Sequence, residues 1–234
     1  MIVLKPTFEI ITPMPWDEMV KHVERAGRVC YKSEYRIKQG SATQFIRYMI
    51  DRGHESVIEH IGFSVLFTVD RGITHELVRH RLASYSQEST RYCNYANARF
   101  GSEIAVIGLG KAMDLDFSMD AITPEEATLI LQEWFQAMQD AEQHYMKMID
   151  LGASAQIARS VLPQSVKADI MVTANIREWR HILRLRTSRA AHPQMREVMI
   201  PLLLKLKTEC PVFFGDIKPD PESVRRLGLD DPNH

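Results

Sequence analysis

Phe63, Val65, Phe67 and Val69 alternate with Ser64, Leu66 and Thr68, the period-two pattern of a strand with one face buried. A second strand is predicted over Lys167–Asn175, and a third over 2–12, broken at Pro6, where the ladder loses an N–H. Helical spacing governs most of the remainder. Pro15 opens a helix to about residue 31, with Met19, Val23 and Ala26 on one face. Ser41 and Gln44 predict a capping box for a helix over 41–52, and Gly53 is its natural stop. Residues 71–82 read as a helix, followed by a hydroxyl-rich loop. Thr123, Pro124 and Glu126 supply an N-cap, a first-turn proline and a reciprocal glutamate. The helix they open carries Ile130, Trp134, Ala141, Tyr145 and Met148 and stops at Gly152. Shorter helices are predicted over 154–161, ending at Pro163, and over 176–187, with a longer one over 193–209. Residues 101–122 form a weakly patterned connection, and the Pro- and Asp-rich stretch from Pro219 a loosely ordered tail.

No repeat, low-complexity block or linker interrupts this order, so the expectation is α+β. It is a single domain over 1–218, an antiparallel sheet packed by helices, followed by a tail over 219–234. At 234 residues such a chain buries roughly 70–75% of its unfolded surface without staples. The formal net charge is −1, which gives no general attraction to nucleic acid or to an anionic membrane. Cys30, Cys93 and Cys210 are far apart, neither a disulfide framework nor a zinc knuckle, and fit a reducing compartment. The first residues lack the charged and apolar regions of a signal peptide, and no apolar run reaches the length of a membrane span. A cytoplasmic protein is expected.

Chemistry gathers at residues 79–91. Arg79, His80 and Arg81 adjoin Ser84, Ser86, Ser89 and Arg91. Guanidinium forks match phosphate oxygens, and hydroxyls add donors; the plainer alternative is a solvated helix end. Upstream, His54, Glu55, Glu59 and His60 invite a metal reading, but the spacing is not that of a helical zinc motif, and no metal is expected. Arg159, before Leu162-Pro163, reads on its own as an ion-pair partner. Asn175 can cap the following helix or orient a heterocycle. Arg177, His181 and Arg184 share one face of that helix, which is a solvated basic face or a surface for RNA.

Taken in order, these segments resemble the flavin-dependent thymidylate synthases, whose hallmark is Arg-His-Arg, seven residues, then Ser. Here that is Arg79-His80-Arg81 and Ser89, followed by Arg91 and Tyr92. The resemblance extends to Gly53-His54-Glu55 and Glu59-His60, to 158–163, to Asn175-Ile176-Arg177 and to Leu185-Arg186. It covers roughly 15–215. It implies a homotetramer with a non-Rossmann fold and active sites shared between subunits. The implied reaction methylates dUMP reductively to dTMP, with methylenetetrahydrofolate as carbon donor, FAD as hydride carrier and NADPH as reductant. The chain has no Gly-x-Gly-x-x-Gly loop, so FAD phosphates would be held by side chains. No cysteine has the context of a nucleophile.

Position by position, Ser56, Glu59, Arg79, His80, Arg81, Gln87, Asn175, Arg177 and His181 resemble FAD-binding residues. Glu76, Arg79, Gln87, Glu88, Ser89, Thr90, Arg91, Arg159 and Arg186 match dUMP-binding positions. Arg91 and Arg159 suit the dUMP phosphate. Arg186 is the expected catalytic residue, because a guanidinium beside the pyrimidine stabilises developing negative charge. His54 resembles a residue near the flavin and folate rings. Ser86-Gln87 stands where many relatives have Asn-Glu, Glu76 where they have Gln, and His181 where Asn also occurs. Gln87 cannot serve as a base. Two alternatives to the synthase remain from the residues: an RNA-binding module built on helix 176–189, and a relative that binds flavin without turnover.

Overall fold

The structure is a computed structural model, and it describes residues 1–229. Its strands are β1 (Ile2–Leu4), β2 (Thr7–Ile11), β3 (Gly62–Asp70), β4 (Ala83–Gln87), β5 (Ala105–Ile107) and β6 (Lys167–Asn175). Its helices are α1 (Trp16–Val29), α2 (Ser41–Asp51), α3 (Arg71–Leu77), α4 (Gly110–Leu115), α5 (Pro124–Asp150), α6 (Ala155–Ala158), α7 (Ile176–Arg186), α8 (Pro193–Glu209), α9 (Pro211–Phe214) and α10 (Pro221–Arg226). The mixture of helix and sheet is the α+β build expected. A four-stranded sheet has the order β2-β3-β6-β4. In it β3 and β6 run antiparallel: Ser64 bonds Thr173 at 2.7 Å, Thr68 bonds Asp169 at 2.7 Å, and each step along one strand is a step back along the other. Pro6 does more than break a strand, since β1 pairs in parallel with β5 in a separate two-stranded sheet.

Contacts divide the chain into two compact units. One comprises Met1–Thr7, Phe67–Arg79 and Ser86–Ile170. Its core holds Ile104, Val106, Met138, Tyr145, Ala158 and Val166, and the Tyr145 hydroxyl accepts from the Tyr95 amide at 3.2 Å. The other comprises Phe8–Leu66, His80–Tyr85 and Met171 onward. There Phe63 stacks on Trp179 with centroids 5.0 Å apart, while Trp16 meets Phe63 edge-on at 5.2 Å. The Trp179 indole donates to the Phe63 carbonyl at 3.0 Å, so the ring is buried without orphaning its N–H. Helix α8 is buried along most of its length, through Met195, Val198, Met199, Leu202, Leu203 and Leu206.

Local signals explain most element boundaries. Thr123 and Glu126 form the expected capping box. Gly53, at φ +72°, closes α2 by donating to the Ile50 carbonyl at 2.9 Å, and His54 donates to Met49 at 2.9 Å, the paired bonds of a left-handed helix stop. Gly62 opens β3 where a Cβ would lie 2.4 Å from the Ala174 carbonyl oxygen, so no other residue fits without moving the strand.

Several expectations are corrected. Ser41 is not the cap of α2; Gly40 is, and the Ser41 hydroxyl instead lies 2.8 Å from both a Glu24 carboxylate oxygen and the Lys38 carbonyl, which share its single proton. Helix α3 stops at Leu77 rather than continuing to residue 82, and residues 83–87 of the expected loop form β4. The connection 101–122 contains β5 and α4. The stretch from Pro219 is not loose over its first part. Asp220 caps α10 by accepting from the Ser223 amide at 2.8 Å, Arg196 donates to the Ser223 hydroxyl at 2.6 Å, and Val224 packs on Ile200 and Leu204. Residues 230–234 of that tail lie outside the described residues. No helix among the described residues is long and apolar enough to cross a membrane.

Arg180 is the most deeply buried of several charged side chains in the second unit. It is fully inaccessible, and it grips Asp216 through two hydrogen bonds of 2.7 Å and donates to the Phe213 carbonyl. Burial pushes the Asp216 carboxyl up, but the bonds and charge of Arg180, helped by Arg184, outweigh it and hold the group below the usual range. Asp216→Ala leaves the buried guanidinium without its fork. The expected cost is about 1.5–3 kcal/mol, the range for a hydrogen bond to a charged group, read as a lower urea midpoint at unchanged slope.

Candidate active site

The Arg-His-Arg triplet lies in the turn between α3 and β4, and the turn has a physical cause. Asp70 caps α3 by accepting from the Ile73 amide at 2.7 Å, and Thr74 and Leu77 are buried. The chain then turns, His80 goes in with 6% exposure, and the Tyr85 hydroxyl pins the turn by donating to the His80 carbonyl at 2.6 Å. Burial pushes the Tyr85 phenol up to about 12, so it stays a donor. Arg79 and Arg81, on either side of the buried ring, are exposed. The three residues therefore divide their work: two guanidiniums face out, one imidazole faces in.

His80 joins a small buried network from α7. Arg186 Nε donates to His80 Nε2 at 2.9 Å. Glu178, 7% exposed, sets a carboxylate oxygen 3.7 Å from His80 Nδ1. His181 meets the ring edge-on at 5.8 Å. Burial, then the positive charge of Arg186, then His181 push the His80 pKa down to about 4. The ring is neutral near pH 7, with Nε2 accepting and the proton on Nδ1 toward Glu178. Burial also raises the Glu178 carboxyl above its ordinary value. His80, Glu178 and His181 have potential ligand atoms within 4.8 Å of one another, but the His80 Nε2 lone pair is already engaged by Arg186.

The other expected cofactor residues of the second unit lie nearby in sequence and partly together in space. Glu59, Arg81 and Asn175 line one cavity of about 510 Å³ with Ser84. Asn175 is a helix cap, its side-chain oxygen accepting from the Glu178 amide at 2.9 Å. Arg177 pairs with Glu59 at 2.5 Å and with Glu55 at 3.5 Å. Arg184 pairs with Asp216 at 3.2 Å. The basic face of α7 is thus substantially neutralised, which counts against an RNA surface. Ser56 and His54 are exposed beside the 3-10 turn Glu55–His60.

In the first unit, Thr90 is buried and accepts from Arg159 at 3.3 Å, while Arg91 is exposed, its guanidinium 5.5 Å from the Tyr92 ring. Gln87 donates to the Thr74 hydroxyl at 2.9 Å. Glu88 accepts from the Tyr95 hydroxyl at 2.8 Å and from Lys167 at 2.8 Å, and Lys167 also holds Asp169 at 2.6 Å. Glu88 is therefore tied into the sheet. Ser89 and Glu76 are partly exposed. Sequence reasoning missed the network members Glu178, Asp169 and Lys167. Glu178 had a faint signal as the acidic residue three past the Asn175 cap; the other two had none.

This build has guanidiniums and hydroxyls gathered at strand ends and no glycine-rich phosphate loop. It is an α+β build whose cationic side chains, rather than a glycine-rich loop, could serve as anion ligands. Comparison with known proteins narrows this further: residues 12–212 match the family described as thymidylate synthase complementing protein, and the chain belongs to that family. It is 32% identical over 225 residues to a protein named flavin-dependent thymidylate synthase from Mycobacterium sp. (strain KMS), spanning 93% of this chain and 89% of the relative. A protein of the same name from Mycobacterium tuberculosis (strain ATCC 25177 / H37Ra) is 32% identical over 228 residues, spanning 93% and 88%.

The neutral His80 makes stability depend on pH. Unfolded, the imidazole protonates near its ordinary 6.5; folded, only near 4. Between those values the unfolded chain binds the extra proton, so stability is lost as pH falls from about 6.5 toward 4. Urea midpoints measured across this window should drop more for the wild type than for His80→Gln. Parallel curves would contradict the buried neutral ring.

Proposed function

We propose that the chain makes dTMP by reductive methylation of dUMP, with methylenetetrahydrofolate as carbon donor and NADPH as reductant, in the cytoplasm. FAD, when bound, carries the hydride on a non-Rossmann fold. The residues fit such a cofactor. Arg79 and Arg81 present exposed guanidiniums, and Glu59, Arg81 and Asn175 share a cavity. Together with Ser56, His80, Gln87, Arg177 and His181 they would hold FAD, and His54 would lie near the flavin and folate rings. On dUMP, Arg91 and Arg159 take the phosphate, with Glu76, Arg79, Gln87, Glu88, Ser89 and Thr90 around the nucleotide.

The observation that carries the mechanism is the bond from Arg186 to His80. An imidazole lone pair orients a guanidinium without itself cancelling its positive charge, as a carboxylate would. Arg186 so held can bind the pyrimidine edge and stabilise negative charge developing on the ring during carbon transfer. Two of the three thiols are held away from the thiolate form such activation would need. Burial pushes the Cys210 thiol up to about 12, and burial raises Cys93 as well.

Arg186→Ala should abolish dTMP formation while leaving a folded protein with flavin absorbance. Tritium release from labelled dUMP is the measurement, and near-normal release by the mutant would remove Arg186 from the mechanism. A yellow wild type that releases no tritium would mark a flavin-binding relative without turnover.

The assembly is proposed to be a homotetramer with shared sites. Support comes from α5, 27 residues long, where only Met138 and Tyr145 are buried while Leu129 and Phe135 are 59% and 43% exposed. If Ser89 and Arg186 reach one site from different subunits, inactive Ser89→Ala and Arg186→Ala proteins should regain activity when mixed, dissociated and reassembled. Failure to recover any, with tetramers re-formed, would refute sites built from two subunits.

A further inference from the structure

A sizeable concave surface of the second unit lies outside the network described above. It is a cavity of about 1040 Å³ between the C-terminal end of α1, the connection 30–40 and α2. We propose that it binds a flat heteroaromatic ring carrying an anionic arm, and that its occupant is one of the two co-substrates, NADPH or methylenetetrahydrofolate. The choice of occupant rests on the function proposed above; the binding chemistry does not.

Charge is the first argument. Arg36, Lys38 and Arg52 line the cavity with no aspartate or glutamate among its walls. None of the three has an ion-pair partner among the described residues, whereas Arg177, Arg180 and Arg184 on α7 each face a carboxylate. Glu24, which bonds two of the lining residues, is buried and already engaged: it takes Arg28 at 2.8 Å and the Ser41 hydroxyl at 2.8 Å. Three cations around one hollow, with no carboxylate in its lining and none paired with them, leave a site suited to an anion.

Aromatic lining is the second. Tyr31, Tyr35 and Tyr48 open onto the same hollow and are 60%, 78% and 51% exposed. Large rings left uncovered together mark a surface awaiting a partner. Arg52 lies 4.5 Å above the Tyr48 ring and Arg28 4.3 Å above Phe45. Such stacks hold guanidinium planes flat, offering both a stacking face and a fork for oxygens. The dimensions suit a cofactor-sized molecule rather than a simple ion.

NADPH presents adenine with a 2′-phosphate, and methylenetetrahydrofolate a pterin with glutamate carboxylates; both have the ring and the anionic arm. The test uses the flavin-loaded enzyme and two variants, Arg36→Ala/Lys38→Ala and Arg52→Ala. All three side chains are exposed, so folding and flavin content should be unchanged. The KM of one co-substrate should rise roughly tenfold or more, the loss expected for charge-assisted contacts, with kcat at saturation and the other KM unaltered. A rise confined to NADPH and absent with NADH names the phosphate. A rise that grows with the number of glutamates names the folate. Unchanged KM values for both, or loss of flavin, would overturn the proposal. Should the wild type prove inactive as a synthase, equilibrium dialysis of NADPH and methylenetetrahydrofolate decides separately: weaker binding by the variants supports the cavity, and equal binding, or none to the wild type, defeats it.

Discussion

β3 and β6 share a single antiparallel register, in which Ser64 meets Thr173 and the Ile176 amide donates to the Ile61 carbonyl at 3.0 Å. That register is imposed by burial. Phe63 and Val65 face inward on one strand and Val172 and Ala174 on the other, and a slip of one residue would turn a whole set to the wrong face. Because the strands oppose, the start of β3 lies beside the end of β6. The turn Glu55–His60 and the first turn of α7 are thereby brought to one place, and Arg177 reaches Glu55 and Glu59. Polar chemistry at this end of the second unit follows from apolar packing in its middle.

On that frame, α7 acts as a two-sided beam. One side buries Trp179, Ile182 and Leu183, and Arg180 with them. The other turns toward solvent and toward His80. A buried guanidinium is costly unless its hydrogen bonds are met, and Asp216 and Phe213 meet most of them. Fixing Arg180 fixes the rotation of the helix, and with it the direction in which Glu178, His181 and Arg186 project.

Legibility in the sequence followed the strength of periodic signals. β3 and β6 could be read because apolar side chains at the inward positions alternate with mostly polar ones. The capping box at Thr123 was legible because both partners sit three residues apart. β4 was not: its inward residues are Ala83, Tyr85 and Gln87, and its outward ones Ser84 and Ser86, so the alternation carries little hydrophobic contrast and resembles a loop. The end of α3 was invisible for a similar reason, since a buried histidine looks polar in a sequence. Ser41 misled because its cap-like position is used instead to tie down Glu24. As for the candidate site, its residue types were legible, but the bond between His80 and Arg186 joins positions 106 apart, and no local pattern encodes it. The pairing of Arg180 with Asp216 was hidden in the same way.

The tryptophans divide unevenly between the two compact units, and this gives the chain a built-in optical asymmetry. Trp16 and Trp179 bracket Phe63 in the second unit, while Trp134 in the first donates to the Ser165 hydroxyl at 3.2 Å; these are the chain's three indoles. Intrinsic emission is therefore weighted toward one unit. Replacing Trp134 by Phe confines the indoles to the second unit, so that its loosening during unfolding can be followed by light of its own.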